Sequence, residues 1–507
     1  MNPTRLKLRL PARLSATWLG LALALGLSAC ATQDDIQPQQ QRLKSERFGL
    51  HEPADEPSPS QAAVPEAPAW WQALGDAQLD QLVAQALAGH PNLQLAQARW
   101  QRAQAGQLFA EGQATPQIQA KGEVDRQHFT RHGLYPPPLA GGYYSTGTLQ
   151  LEGSWELDLF GKHRAELDAA VGQRRAAEAD VQAARWALST QVVRSYVQLG
   201  RLQAQREVTQ RALAQRDEML RLVRQREKQG LDTQVEVKQS EGSLPELRGQ
   251  IEALDEQISL TRHALAVWSG QSPTALDGLT VRLDALRGPD APSQLPLDLL
   301  SRRPDVMAAL WRAEAANKEA SATRVALFYP NIDLRSYAGY NAIGLDKLLK
   351  GSSMQWGLMP AVTLPLFDGD RRRAHMQDQV AQEDQAIASY NQVLLQAAQD
   401  AVDQLSSVQA VARQQDSQRE AQLSVDAAYE LARSRYKAGL GNYLIVLGAE
   451  TSVLAQRRAA VDLMSRALDA RIGLIRATAG ASVAPAAASP QAQPSLPTSP
   501  TSLKGQS

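Results

Sequence analysis

The sequence predicts a mainly α chain that contributes strands to a transmembrane β-barrel continued by an α-helical barrel, arranged as an internal tandem repeat. Three observations carry this prediction. Two stretches, one after Phe160-Gly161 and one from about Arg371, run for many helical turns without a strong breaker. Four short segments alternate apolar and polar residues at period two, as strands with one apolar face do. The order of these features then recurs after roughly 210 residues, far beyond any solenoid period, which marks duplication of a whole half.

Composition narrows the class before any motif is read. The chain has 507 residues, 43% of them hydrophobic and 21% charged, enough for several domains or one large elongated one. Lys+Arg and Asp+Glu balance at 53 each with no basic tail, so nothing supports nucleic acid as a partner. Aromatics are only 5%, and the breaker-free stretches are rich in Ala, Gln, Leu, Arg and Glu. Such a composition favours long helices and coiled coils over compact α/β folds.

The N-terminus carries Arg5, Lys7, Arg9 and Arg13, then an apolar run from Trp18 to Leu27, then Ser28-Ala29-Cys30. A basic region, a short apolar region and small residues before a cut make residues 1–29 a secretory signal, and the run is too short to span a bilayer well. The single cysteine of the chain stands at that cut. The pattern matches the lipobox of bacterial lipoproteins, which implies lipidation of Cys30, and Ala31 after it resembles the outer-membrane sorting pattern. Without a second cysteine, intrachain disulfides are excluded. Residues 30–68, rich in Gln, Pro, Asp and Glu, read as a lipidated tether.

Residues 69–272 form the first predicted repeat. Trp70-Trp71 and Leu74-Gly75-Asp76 introduce helical periodicity to about Ala114, interrupted at His90-Pro91. Ile118, Ala120, Gly122 and Val124 then alternate with polar residues, and after a Tyr/Pro/Gly loop so do Leu149, Leu151, Trp155, Leu157 and Leu159. From Gly161 to about Gln229 the pattern is helical; at about 1.5 Å per residue such a helix is on the order of 100 Å long. Gly230 breaks it, and Thr233 with Glu236 has the capping-box spacing for a return helix. That helix shows a seam of Leu244, Leu247, Ile251, Leu254, Ile258, Leu265 and Trp268, with Thr261 in the polar slot and Pro245 favouring a bend.

Residues 273–295, rich in Pro and Gly, read as an equatorial linker, and residues 296–480 repeat the plan. Leu299-Leu-Ser-Arg-Arg-Pro-Asp305 opens a helix, Ile332 and Leu334 begin a strand, and Trp356, Leu358, Val362, Leu364 and Leu366 alternate into a second junction. A long helix from about Arg371 to Lys437 breaks at Gly439, and Leu447, Leu454, Val461, Leu468 and Ile475 recur at sevens in its return helix. The Ala/Pro/Ser/Gln tail, 481–507, has no periodicity and reads as disordered.

Amphipathic strands too few to close a barrel leave open edges that a bilayer penalises by several kcal/mol per unsatisfied group, so other copies must close them. A wide tube lined with polar residues serves passage. At this point the chain resembles the outer-membrane factors of Gram-negative bacteria, the TolC/OprM-like channels, and within them the NodT-type efflux lipoproteins. The resemblance spans roughly Trp70 to Ala479. It rests on Leu74-Gly-Asp76, Trp155-Glu-Leu-Asp-Leu-Phe-Gly-Lys162, Leu299 to Asp305, Phe328-Tyr-Pro330, Leu364-Pro-Leu-Phe-Asp-Gly369 and Arg435-Tyr-Lys-Ala-Gly-Leu440, all in family order.

That resemblance implies a homotrimer with a twelve-stranded outer-membrane barrel and a helical tunnel reaching into the periplasm. It also implies a periplasmic adaptor, an inner-membrane pump of the RND or MFS type, and passive export of drugs or small toxic compounds. It implies no catalytic chemistry and no cofactor. It places adaptor-docking tips at Arg226, Gly230 and Leu231 and at Arg435, Gly439 and Leu440. Where relatives carry gate aspartates, Ile445 and Gly448 stand here, so a carboxylate ring is not expected; Leu444 matches a gating leucine. We therefore expect Tyr443 and Leu444, with Tyr436 nearby, to narrow the periplasmic entrance, closing by dewetting. The bland alternatives are that the glycines only end helices and that the three gate residues belong to the helix seam.

Other chemistry finds no footing. The histidines lack paired-ligand spacing, so no metal site is expected. Glu156 and Asp158 sit at period two on a polar strand face and suit a water-lined lumen better than an acid pair. An outlet for type I protein secretion is a rival within the class. A lipid-anchored periplasmic adaptor is a rival outside it, opposed by two hairpins and four strands where one hairpin is the rule. Finally, Gly161 directly follows Phe160 whereas Asp368 separates Phe367 from Gly369. Such unequal halves predict a threefold assembly rather than a sixfold ring.

Overall fold

The structure, a computed structural model, describes residues 36–43, 69–288 and 302–479. The expected signal peptide, Cys30, most of the tether, part of the linker and the tail lie outside the described residues. The chain divides into two units, one holding residues 91–185 and 300–399 with the N-terminal segment, the other holding 66–90, 186–299 and the remainder from 400. Two helices, α3 (Lys162–Lys228) and α6 (Arg371–Lys437), contribute residues to both.

In the first unit β1 (Gln117–His128), β2 (Tyr143–Glu156), β3 (Asn331–Ile343) and β4 (Met354–Thr363) form one antiparallel sheet in that order. The β2–β3 pairing, with Leu151 opposite Ala338, joins the duplicated halves. Register sorts the side chains by parity. Ile118, Val124, Leu149, Leu151, Trp155, Trp356, Leu358 and Val362 share one face and all are exposed. Gln119, Glu123, Gln150, Glu152 and Gln355 share the other, where Gln119 and Gln150 donate to Glu152 and Gln355 donates to Gln150. An exposed apolar face opposite a hydrogen-bonded polar one is the layout of a barrel wall between lipid and water. The outer edges of β1 and β4 pair with no strand among the described residues.

The strands end earlier than the alternation predicts. After Glu156 the carboxylate of Asp158 turns to accept the Arg164 N–H at 3.0 Å, so Asp158 serves the start of α3 rather than the strand face. After Thr363, Pro365 removes a backbone donor, and Arg372 takes the Pro365, Leu366 and Leu327 carbonyls. The two junctions also differ in backbone: Gly161 alone has positive φ (80°) in the first, while Gly369 (65°) and Asp370 (68°) adopt it consecutively in the second.

Two helices complete this unit with the adjoining parts of α3 and α6: α2 (Pro91–Gln113) and α5 (Pro304–Phe328). The Arg303-Pro304-Asp305 motif starts α5, Pro304 occupying its first turn. Burial alone would raise the Asp305 carboxyl, but the Arg303 guanidinium 2.7 Å away outweighs it and holds that group below its ordinary value. α3 and α5 approach so closely at Gly172 that an added Cβ would lie 3.0 Å from the Ala315 Cβ. Against α5 and α6 runs part of the expected tether. Ile36 is buried with Ala320, Met376 and Val380; the Gln39 and Gln40 amides donate to Asp384; Asn391 accepts from the Leu43 amide and donates to the Gln41 carbonyl. Residues 36–43 are thus a pinned strap.

The second unit explains Leu74-Gly75-Asp76. A short 3-10 turn, Trp70–Leu74, ends at Gly75 with φ 73°, and Asp76 then caps α1 (Ala77–Gly89), accepting from the Gln78 and Leu79 amides. The same carboxylate accepts the Tyr196 hydroxyl at 2.7 Å. Trp70 stacks on Trp186 at 6.0 Å and 3°, within a core that adds Val192, Val193, Leu199, Leu265 and Ile472. His90 in extended conformation separates α1 from α2, as Pro91 requires. The return helices are α4 (Gln234–Trp268), with its capping box formed by Thr233 and Glu236, and α7 (Tyr443–Ala477). In α4 the predicted seam is the buried row, with Leu254 and Trp268 half-buried. In α7 the predicted sevens are buried at Leu468 and Ile475 and half-buried at Leu447 and Val461, which pack against the apolar clusters; nearer the tip the fully buried row is Tyr443, Val446, Glu450 and Val453, one residue out of step.

Candidate functional site at the hairpin tips

Both helix ends that the glycines mark are built the same way. In α3 the Leu231 amide donates to the Arg226 carbonyl and the Gly230 amide to the Glu227 carbonyl; at the end of α6 Leu440 and Gly439 repeat this with Arg435 and Tyr436. Each is a Schellman ending, which requires a left-handed residue, and Gly230 and Gly439 both have φ 75°. The spacing Arg-x-x-x-Gly-Leu is therefore first a helix terminator. Leu231 and Leu440 are left 60% and 71% exposed, apolar surface that the terminator does not use.

The two arginines diverge. Arg435 is exposed, whereas Arg226 is buried beside the other tip, its Nε donating to Asp232 at 3.0 Å and its guanidinium lying 4.6 Å from the centre of the Tyr436 ring. Tyr436 donates its hydroxyl hydrogen to the same Asp232 oxygen. Burial raises the Tyr436 hydroxyl pKa and the bond to Asp232 raises it further, so it remains a donor. Burial opposes the charge on Arg226, but the hydrogen bond and charge of Asp232 more than restore it. One carboxylate on the first tip thus holds a cation of its own hairpin and a phenol of the other.

Below this latch lies an apolar cluster of Met219, Val223, Val237, Tyr429, Tyr443 and Val446. Within it Glu450 on α7 faces Arg216 on α3 at 3.5 Å, both nearly inaccessible. Burial raises the Glu450 carboxyl pKa against the lowering effect of Arg216.

The gate residues expected from sequence separate here. Tyr436 and Tyr443 are 0% and 1% exposed, with ring centres 6.2 Å apart, and side chains packed inside a protomer have no face to offer a pore. Leu444 is 54% exposed and its neighbour Ile445 60%. Asp232 and Glu450 are the residues that sequence reasoning missed. Asp232 could have been found by overlaying the halves, since Gly441 stands at the matching place before the cap Asn442. Glu450 was marked by being an acid at helical spacing from Val446 and Val453.

Comparison with known proteins identifies the family of the chain. The family model for outer membrane efflux proteins matches residues 82–271 and again residues 295–480, once per half. The chain is 36% identical over 364 residues to the fusaric acid resistance protein FusA of Burkholderia cepacia, covering 70% of this chain and 67% of that one. It is 30% identical over 464 residues to the multidrug resistance outer membrane protein MdtP of Shigella flexneri, covering 90% and 94%. The crystal structure of the outer membrane protein VceC from Vibrio cholerae superposes with a TM-score of 0.76 at 32% identity, covering 81% of this chain and 98% of that one. The fold is thus mainly α, with transmembrane strands and a duplicated half. The chain belongs to the outer membrane efflux protein family, a channel subunit of the outer membrane whose helices extend into the periplasm.

Proposed function

We propose that this chain, as a homotrimer anchored by lipidated Cys30, is the exit duct of an efflux assembly for small toxic organic compounds. An inner-membrane pump of the RND or MFS type drives the assembly through a periplasmic adaptor. The relatives named for multidrug and fusaric acid resistance support the substrate class. Three copies of the sheet supply the strands that its open edges need, since backbone groups left unpaired in a bilayer are costly.

The observation that carries the gating part is the shared Asp232 carboxylate. Holding Arg226 and Tyr436 together keeps the ends of the two hairpins of one protomer in contact, and the entrance widens when that contact is released. Leu444 and Ile445, exposed on the first turn of α7, supply an apolar constriction that excludes water when the tips are close. Adaptor docking falls to the exposed tip residues Gly230, Leu231, Arg435, Gly439 and Leu440, while Arg226 acts inside the latch. Single-channel recording of Tyr436→Phe trimers in planar bilayers tests the gate. The expected result is a larger open probability than wild type, because the phenyl ring keeps the packing and loses only the bond to Asp232. Unchanged opening, with trimers intact, overturns the gate reading.

A further inference from the structure

The end of the sheet farthest from the helix junctions sorts its charges. Strand parity puts Arg126 and His128 on the same face of β1 as Ile118 and Val124, whereas Glu123 and Asp125 fall on the opposite, lumen-side face. His128 packs against Tyr143, ring centres 4.6 Å apart, on the exposed side of the sheet. Tyr143 and Trp155 share one face of β2, twelve residues apart in the strand. At about 3.3 Å per residue and a tilt of about 40°, that is roughly 30 Å along the membrane normal, the spacing of two aromatic girdles. Arg126 therefore lies at the outer lipid–water boundary.

The connections at this end continue the pattern. The loop after β1 is a built structure: Phe129 is buried against Tyr135 and Tyr144, its carbonyl accepts the Gly141 amide at 2.7 Å, and Arg131 lies across Gly141. The loop after β3 places exposed Lys347 and Lys350 beside exposed Leu345 and Leu349. Residues 126–142 and 344–353 together carry Arg126, Arg131, Lys347 and Lys350 against the single carboxylate of Asp346. None of these four cations has a carboxylate partner among the described residues.

We infer that this outer rim is a docking surface for the phosphorylated glycolipid of the outer leaflet. Cations beside exposed leucines match a ligand that presents phosphate groups above acyl chains, and the lumen-side placement of Glu123 and Asp125 keeps like charge from that ligand. Each cation near an anionic membrane surface is worth roughly fivefold in affinity.

The test uses the full-length trimer incubated with phosphatidylcholine vesicles doped with bis-phosphorylated glycolipid, with its dephosphorylated form, or with phosphatidylglycerol. Lipid retained through repurification is counted by native mass spectrometry. The bis-phosphorylated glycolipid is expected to be retained preferentially. Arg126→Gln with Arg131→Gln is expected to lower that retention roughly tenfold or more, while Arg371→Gln, at the opposite end of the sheet, leaves it unchanged. If the first pair fails to give heat-stable trimers, Lys347→Gln with Lys350→Gln replaces it with the same expectation. Equal retention of the dephosphorylated glycolipid or of phosphatidylglycerol, or retention insensitive to the rim variants, overturns the inference.

Discussion

Asp232 and Tyr436, 204 residues apart in sequence, share a hydrogen bond that ties one hairpin tip to the other. Because Arg226 bonds to the same carboxylate oxygen, the three groups act as one unit and single substitutions understate their coupling. We predict that Arg226→Gln and Asp232→Asn each destabilise the tips, and that the double variant is no worse than Asp232→Asn alone. The buried Arg226 guanidinium stripped of its carboxylate already carries most of the penalty, about 3 to 5 kcal/mol, and removing that cation as well adds nothing. Thermal unfolding of the four species in one double-mutant cycle measures the coupling; strict additivity contradicts a shared latch.

Leu444 tests the apolar constriction separately from the latch. Leu444→Ser should raise open probability in planar bilayers while leaving the melting temperature within a few degrees of wild type, because a half-exposed side chain contributes little to the core. A variant with unchanged open probability removes Leu444 from the gate and leaves the latch intact.

Glu450 gives the tip cluster a pH dependence with a definite sign. Its carboxyl pKa is raised by burial, outweighing Arg216, so between the ordinary carboxylate value and the raised one the folded chain holds a proton that the unfolded chain releases. Stability from this group therefore falls as pH rises through that window. Glu450→Gln should be more stable than wild type above the window and converge with it below. Melting temperatures of both proteins across mildly acidic to neutral pH check this, and a difference that does not vary with pH refutes it.

The strap at residues 36–43 bears on the route to the proposed lipid anchor. Asp384→Ala removes the acceptor of two backbone amides, at 3.2 and 2.8 Å, and leaves both to water. We expect faster amide exchange throughout 36–43 and earlier proteolysis there, with trimer stability little changed. Hydrogen bonds to a charged group are worth about 1.5 to 3 kcal/mol, an upper bound for these two exposed ones. Unaltered exchange at Gln39 and Gln40 denies the clamp.

Reading the sequence located the helices, the strands and the duplication because each is a local matter. A period of two or near 3.6 and a glycine needing positive φ are properties of neighbouring residues, and Gly230, Gly439, the Thr233–Glu236 box and the His90–Pro91 break all fell where expected. Where a local pattern had two adjacent solutions, it found the seam and not which row is buried most deeply. In α7 the sevens from Leu447 and the row from Tyr443 differ by one residue, and only packing against α3 and α6 selects the latter.

The residues that define the tips depend on distance across the fold. Sequence alone determined that the chain is a duplicated set of strands and hairpins of the outer-membrane channel type, and that its tips end at Gly230 and Gly439. Only the tertiary structure decided that Arg226 turns inward, that Tyr436 and Tyr443 are buried while Leu444 is exposed, and that Asp232 joins the two halves. The physical reason is that periodicity records which face of a helix is apolar, whereas a latch is made when two helices from different halves bring one carboxylate within reach of a phenol and a guanidinium.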